Sequence, residues 1–318
     1  MKVGHLLLPL YILVLTGQSL FAAQSRSSDQ PLFQAVAKGD MGAVRVSLDN
    51  GADINAHDDD EDTPLIAAVN NRNIAMVKLL LERGASIQAR NKYEGTALSE
   101  AARTMDAGIL RIILAANPDV KDKNAALFEA AHEGPVVLQM PAASAPSGHP
   151  NPQASTTAQE PPWVTTVRLL LDSGANIEAR DEDGETPLMM AASYGQTEIF
   201  NLLVDRGAKV NIRDRRGMTP LIAAACACAL ATMNGTYEIM KILLEKGANV
   251  NARSHDGRTA LMMAAGSPDD PVSVKLLLSK GADPAAKDNQ GETAITFARR
   301  GPYPEKVRML KKAIAGTH

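Results

Sequence analysis

An all-α solenoid is what this sequence predicts: stacked helix–turn–helix units joined by β-hairpin fingers. Three observations carry that expectation. Gly-Ala pairs recur in one phase at Gly51, Gly84, Gly174, Gly207, Gly247 and Gly281, with the same interval of thirty-three from Gly51 to Gly84 and from Gly174 to Gly207. Apolar helical stretches run into these glycines, as in "MVKLLLERGA", "TVRLLLDSGA", "IMKILLEKGA" and "SVKLLLSKGA". A threonine stands twelve places after each glycine, at Thr63, Thr96, Thr186, Thr219, Thr259 and Thr293. Self-similarity at such a period is the mark of a repeat architecture.

Each element of the period has a physical reason. Threonine followed by Pro or Ala is a helix N-cap, with proline at the first helical position, where its missing N–H costs nothing. Alanine pairs such as Ala191–Ala192 and Ala264–Ala265 let a first helix approach its neighbours closely. The leucine-rich second helix buries an apolar stripe, each Leu contributing about 1.5–3 kcal/mol. Glycine at its end takes the left-handed conformation that closes a helix. Asn117 stands in the same phase, the next-best residue for that conformation, and Pro118 stops the helix. The link "ANIEARDEDGE" then carries a hairpin turn centred on Asp183–Gly184.

Asp181 to Asn211 meets the pattern D-x-x-G-x-T-P-L-x-x-A-A-x-x-G, amphipathic helix, G-A-x-x-N almost in full. In this the chain resembles the ankyrin-repeat family from about residue 30 to its end. Eight units follow: 30–57, 58–90, 91–123, 124–180, 181–213, 214–253, 254–287 and a truncated 288–318. The family usually places histidine after Thr-Pro-Leu, where it bridges adjacent units. Here that place holds Phe33, Ile66, Ser99, Phe128, Met189, Ile222, Met262 and Thr296. Cohesion between units is therefore expected to be mostly apolar and less directional.

The period breaks twice. Gly134 is in phase with Gly195, yet it stands much further ahead of Gly174 than Gly195 does of Gly207. The excess, 135–162, contains seven prolines and falls between the two helices of the fourth unit, as a disordered loop. The same unit has lost its hairpin tip, since Ala125 follows Asn117 more closely than each threonine follows its glycine. The sixth unit is lengthened by seven in "TPLIAAACACALATMNGTYEIMKILL". Seven is about two helical turns, which predicts a lengthened first helix stopped at Asn234–Gly235. The domain expectation is thus a signal peptide over 1–23, repeats over 24–134 and 163–318, and the loop between.

Lys2, the apolar run "LLLPLYILVL" and small residues near Ala22 and Ala23 read as a cleaved export signal, too short to favour a membrane span. No cysteine follows it for a lipid anchor. The expected destination is the periplasm or the exterior. Cys226 and Cys228 sit two apart in the Ala-rich stretch, where helix geometry points their side chains away from each other and argues for two buried thiols. A net charge of −3, or −4 without Lys2, lacks the basic face that nucleic acid requires.

No nucleophile elbow, phosphate loop, H-E-x-x-H or C-x-x-C occurs, so no catalytic residue, metal ligand or cofactor is assigned. His57 beside "DDDED" reads as a solvated charged tip. What the resemblance implies instead is a protein partner on the concave face of fingertips and first helices, bound by a monomer. The tips differ in charge: Asp59, Asp60 and Asp62 make one acidic, Arg215, Arg216 and Met218 make another basic, and His255 with Arg258 make a third mixed. Tyr93, Glu182 and Tyr194 complete the candidate contact set, since interfaces favour Tyr and Arg. The alternative expectation is an accessory or inhibitor of an exported enzyme or toxin. An enzyme is the remote third reading, because the insert holds no catalytic set.

Overall fold

The computed structural model describes residues 29–132, 160–226, 233–268 and 271–316. The expected signal peptide, Cys228 and most of the 135–162 insertion lie outside these residues. The described helices come in consecutive pairs: α1 (29–38) with α2 (Met41–Asp49), α3 (Pro64–Asn70) with α4 (Ile74–Glu82), and α5 (Ala97–Thr104) with α6 (Ala107–Ala115). They continue with α7 (Val120–His132) and α8 (Pro162–Asp172), α9 (Pro187–Ser193) and α10 (Thr197–Asp205), and α11 (Pro220–Ala225) and α12 (Met233–Glu245). The last pairs are α13 (Ala260–Gly266) with α14 (Val272–Ser279) and α15 (Ala294–Arg299) with α16 (Pro304–Ala315). The chain divides into two compact units, one ending at Asp122 and one beginning at Lys123.

Within each unit the caps form as their residues dictate. Thr63, Thr96, Thr186, Thr219 and Thr259 accept a backbone N–H three residues on, at 3.3–3.4 Å. First helices pack on first helices: α3 on α5 in the first unit, α9 on α11, α11 on α13 and α13 on α15 in the second. The alanine pairs at these contacts are buried, which leaves room for such close approach. Second helices stack behind them, α4 on α6, then α8 on α10, α10 on α12 and α12 on α14. Their leucines, with Phe200, supply much of the core. The glycines closing the second helices have φ between +83° and +95°, and Asn117 replaces one at +56°.

The fingers turn as hairpins, but among the described residues they carry no strand, only one bridge between Arg90 and Thr96. Each is too short for more. Its first residue is a side chain that folds the tip: an oxygen of Asp58, Asn91, Asp181, Asp214 or Asp288 accepts the backbone N–H groups two and four residues on. Ser254 accepts only the second of these. These are Asx turns, which close a tip without neighbouring strands. The residue three past each opener is left-handed: Gly184, Gly217, Gly257 and Gly291 in the second unit, but Glu61 and Glu94 in the first. A side chain in that conformation costs about 1–2 kcal/mol. Glu61→Gly, part of that gain being offset by glycine's greater chain entropy, is expected to raise stability by about 0.5–1 kcal/mol in chemical denaturation.

Two expectations need correction. The sixth unit does not lengthen its first helix: α11 stops at Ala225, capped by the N–H of Cys226, which is half-buried rather than buried. The second helix is the long one, starting at Met233 and running through Asn234–Gly235. A glycine inside a helix costs only about 1 kcal/mol, less than the burial of Ile239, Met240 and Leu243 further along α12 returns.

Cohesion between repeats is also directional, through arginines standing just before four of the fingers. Arg180 Nη1 donates to Gly184 O in its own tip and to Arg213 O of the next finger, both at 2.8 Å. Arg213 repeats this on Gly217 O and Arg253 O at 2.7 and 2.6 Å, and Arg253 reaches Lys287 O. Beneath them Asn55, Glu178, Asn211 and Asn251 accept backbone N–H groups from the neighbouring repeat. Charge-assisted bonds from the arginines take the place of the missing histidine bridges.

Candidate functional site

The surface that recurs along the pairs consists of one stripe of each first helix and, in all but the first and fourth, a fingertip. In α9 the residues one, two, three, five and six past the cap Thr186 are buried. The fourth and seventh, Met190 and Ser193, are half-buried. The same two places hold Ala67 and Asn70 in α3, Glu100 and Arg103 in α5, Ala223 of α11 and its cap Cys226, and Met263 and Gly266 in α13. The stripe is absent from the contact set expected from sequence, although it is legible there as the variable places in T-P-L-x-x-A-A-x.

In the unit ending at Asp122 the stripe is a polar network. Arg103 Nε and Nη2 donate to Glu100 Oε2 at 2.9 and 2.6 Å, and Nη2 reaches Asn70 Oδ1 at 3.4 Å. Asp62 Oδ2 accepts from Asn70 Nδ2 and Asp62 Oδ1 from Asn91 Nδ2, at 3.3 and 3.0 Å. Burial pushes the Asp62 carboxyl above the usual carboxylate range, outweighing its bond from Asn91. Asp62 is therefore turned into the fold, while Asp59 and Asp60 stay exposed and Asp60 pairs with Lys92. Tyr93 is 76% exposed at the next tip, its ring 5.0 Å from the Lys92 ammonium. Arg90 Nη1 donates to Glu94 O in its own tip and Nη2 to Asp122 Oδ1 at 2.6 Å. Where the fourth repeat lacks a finger, the Asp122 side chain on α7 stands in for the carbonyl. Burial raises its pKa despite Arg90.

In the unit from Lys123 onward the stripe is apolar at Met190, Ala223 and Met263, while α7 holds Glu129 and His132 and the α15 cap Arg300 at these places; Met218 stands half-buried at the end of its finger. The basic tip is tied down. Arg215 N donates to Asp183 O at 3.0 Å and its guanidinium to Glu182 O. Arg216 bridges Asp214 and Glu185 at 3.3 and 2.5 Å. Burial raises the Glu185 carboxyl while Arg216 pulls it back. Both arginines expected to reach outward also hold neighbouring fingers together, so their positive charge is partly spent. His255 is exposed, with its backbone N–H on Arg216 O at 2.8 Å, and the half-buried Arg258 lies 5.7 Å from the Phe297 ring. Tyr194 does not join this group. It closes α9 at the end away from the finger, its ring edge-on to His132 at 4.6 Å.

No group of three or more His, Cys, Asp and Glu among the described residues could hold a metal ion. No helix among them is long and apolar enough to cross a membrane. The family described as "Ankyrin repeats (3 copies)" matches residues 32–136, 158–230 and 227–316, well over half of the chain. The chain belongs to the ankyrin-repeat family. No curated protein matches it. As ankyrin repeats, these units are a protein–protein interaction module.

Proposed function

We propose that this ankyrin-repeat protein is exported and captures a protein partner on its fingertips and first-helix stripes, without catalysis of its own. The observation that carries this is the change of chemistry at equivalent places: Glu100 and Arg103 on one unit, Met190 and Met263 on the other. Positions that only kept an array soluble would have no reason to hold half-exposed methionines, whose flexible thioethers adapt to a partner's apolar surface. Export is supported by the basic residue and apolar run at the start of the sequence. Contacts here are expected from Asp59, Asp60, Tyr93, Glu182, Met218, His255 and Arg258 alongside the two methionines.

The test is affinity capture from the exported fraction with three chains. Tyr93→Ala and the double variant Met190→Gln with Met263→Gln should each lower partner recovery about tenfold, at unchanged helicity. Recovery equal to that of the unaltered chain from both variants would contradict the assignment of the face. These positions are better probes than Arg215 and Arg216, whose replacement would also loosen the fingers.

A further inference from the structure

We infer that the groove between α1, α3 and the finger at Asp58–Asp62 is a pocket for an arginine side chain of the partner. The groove has a volume of about 370 Å³ and lies wholly within the unit ending at Asp122. Asp29 and Phe33 of α1, Asp58 and Asp59 of the finger and Ala67 of α3 are in its wall, with His57, whose Nδ1 lies 2.8 Å from Glu61 O, and no Lys or Arg is.

The carboxylates differ in what they have left to offer. Asp29 Oδ1 accepts the Asp53 N–H at 3.2 Å. Asp58 commits Oδ1 to the N–H groups of Asp60 and Asp62, both at 2.9 Å, and turns no second oxygen to a partner among the described residues. Asp59 is exposed and makes no hydrogen bond or ion pair there. By contrast the neighbouring Asp60 already has Lys92. Through Asp58 and Asp59 the wall therefore holds uncompensated negative charge beside a half-buried aromatic ring.

A small metal ion does not suit it, because these side chains do not converge into a ligating group of three. A long cation does. Its aliphatic stem can lie on Phe33 and Ala67 while its head reaches Asp58 and Asp59. A guanidinium fits better than an ammonium: it stacks on the Phe33 ring and presents several donors to carboxylates and to the amide side chains of Gln30, Gln34 and Asn71. At the place equivalent to Asp59 the other fingers hold Lys92, Glu182, Arg215, His255 and Asn289, so an acidic residue recurs there only at Glu182.

The pocket rests on the finger face being the binding surface, and one experiment separates the two. The full chain, isotope-labelled, is titrated with acetyl-Ala-Ala-Arg-Ala-Ala-amide and with the same peptide carrying Gln or Lys. Amide shifts confined to 29–38, 57–62 and 67–71 are expected with the Arg peptide, weaker ones with Lys and none with Gln. The double variant Asp58→Asn with Asp59→Asn should bind about tenfold more weakly at an unchanged melting temperature. Asn at 58 keeps the turn, as Asn91 does in the next finger. Equal binding of the Gln peptide, shifts outside the groove, an unaffected variant, or displacement of the peptide by millimolar calcium would each overturn the pocket. If the Arg peptide fails while capture still depends on Tyr93 and the methionines, the pocket falls and the binding face stands.

Discussion

Gly217→Ala is expected to destabilise the unit from Lys123 onward by about 3 kcal/mol in chemical denaturation. Gly217 has φ +73°, and a Cβ there would sit 2.6 Å from His255 Cδ2 and 2.9 Å from His255 N. The left-handed conformation alone accounts for about 1–2 kcal/mol of the loss. The rest comes from prising the two fingers apart, which breaks the His255 N–H bond to Arg216 O at 2.8 Å and disturbs the Arg213 bond to Gly217 O. Gly291 is the internal control. It has φ +78° but nothing within 4 Å of where a Cβ would sit, so Gly291→Ala should show the conformational cost alone, about 1 kcal/mol. Equal losses at both positions would mean that finger-to-finger contact contributes nothing.

Lys306→Ala should cost a similar amount, about 3 kcal/mol, from a residue that composition would place on the surface. Lys306 is 1% exposed, and its ammonium donates to Ala264 O at 2.9 Å and Ser267 O at 2.7 Å. These carbonyls lie at the C-terminal end of α13, which a cation complements. The ammonium also lies 4.8 Å from the Tyr303 ring, so one side chain of α16 ties the last helix pair to the one before it. Removing it leaves buried acceptors without their donor and a void. Lys306→Met restores the volume but not the bonds, and should recover part of the loss. The exposed Lys311 and Lys312 provide the comparison, each change to Ala being expected to alter stability by about 0.5 kcal/mol at most. In a repeat array such local losses spread through nearest-neighbour coupling, so a cooperative unit registers them as a shift of its whole transition.

Much of this architecture is legible in the sequence, because each repeat must solve the same local problems with the same residues. Threonine caps and left-handed glycines are dictated by backbone chemistry, and Asn117 obeys the same rule. The added stretch of the sixth unit misleads, because alanine propensity points to α11 whereas packing decides for α12. Directional cohesion escapes the sequence for another reason. His57, Arg90, Arg180, Arg213, Arg253 and Lys287 each stand immediately before a finger, a regularity visible in phase with the glycines. Its meaning needs three dimensions, since one guanidinium serves two fingers. For the same reason Arg215 and Arg216 read as free charge in the sequence and are partly structural in the fold. Acidic Asp59 and aromatic Tyr93 are legible as exposed tips. Phe33 is visible only as a missing histidine, because the groove it lines is made by residues of α1, α3 and a finger together.

The binding face is tested most directly by hydrogen exchange on the captured complex. Protection is predicted at the fingertips 58–62, 91–95, 214–218 and 254–258 and along α9 and α13, with exchange in α4 and α10 unchanged from the free chain. Protection concentrated in α4 and α10, with the fingertips exchanging as before, would contradict it.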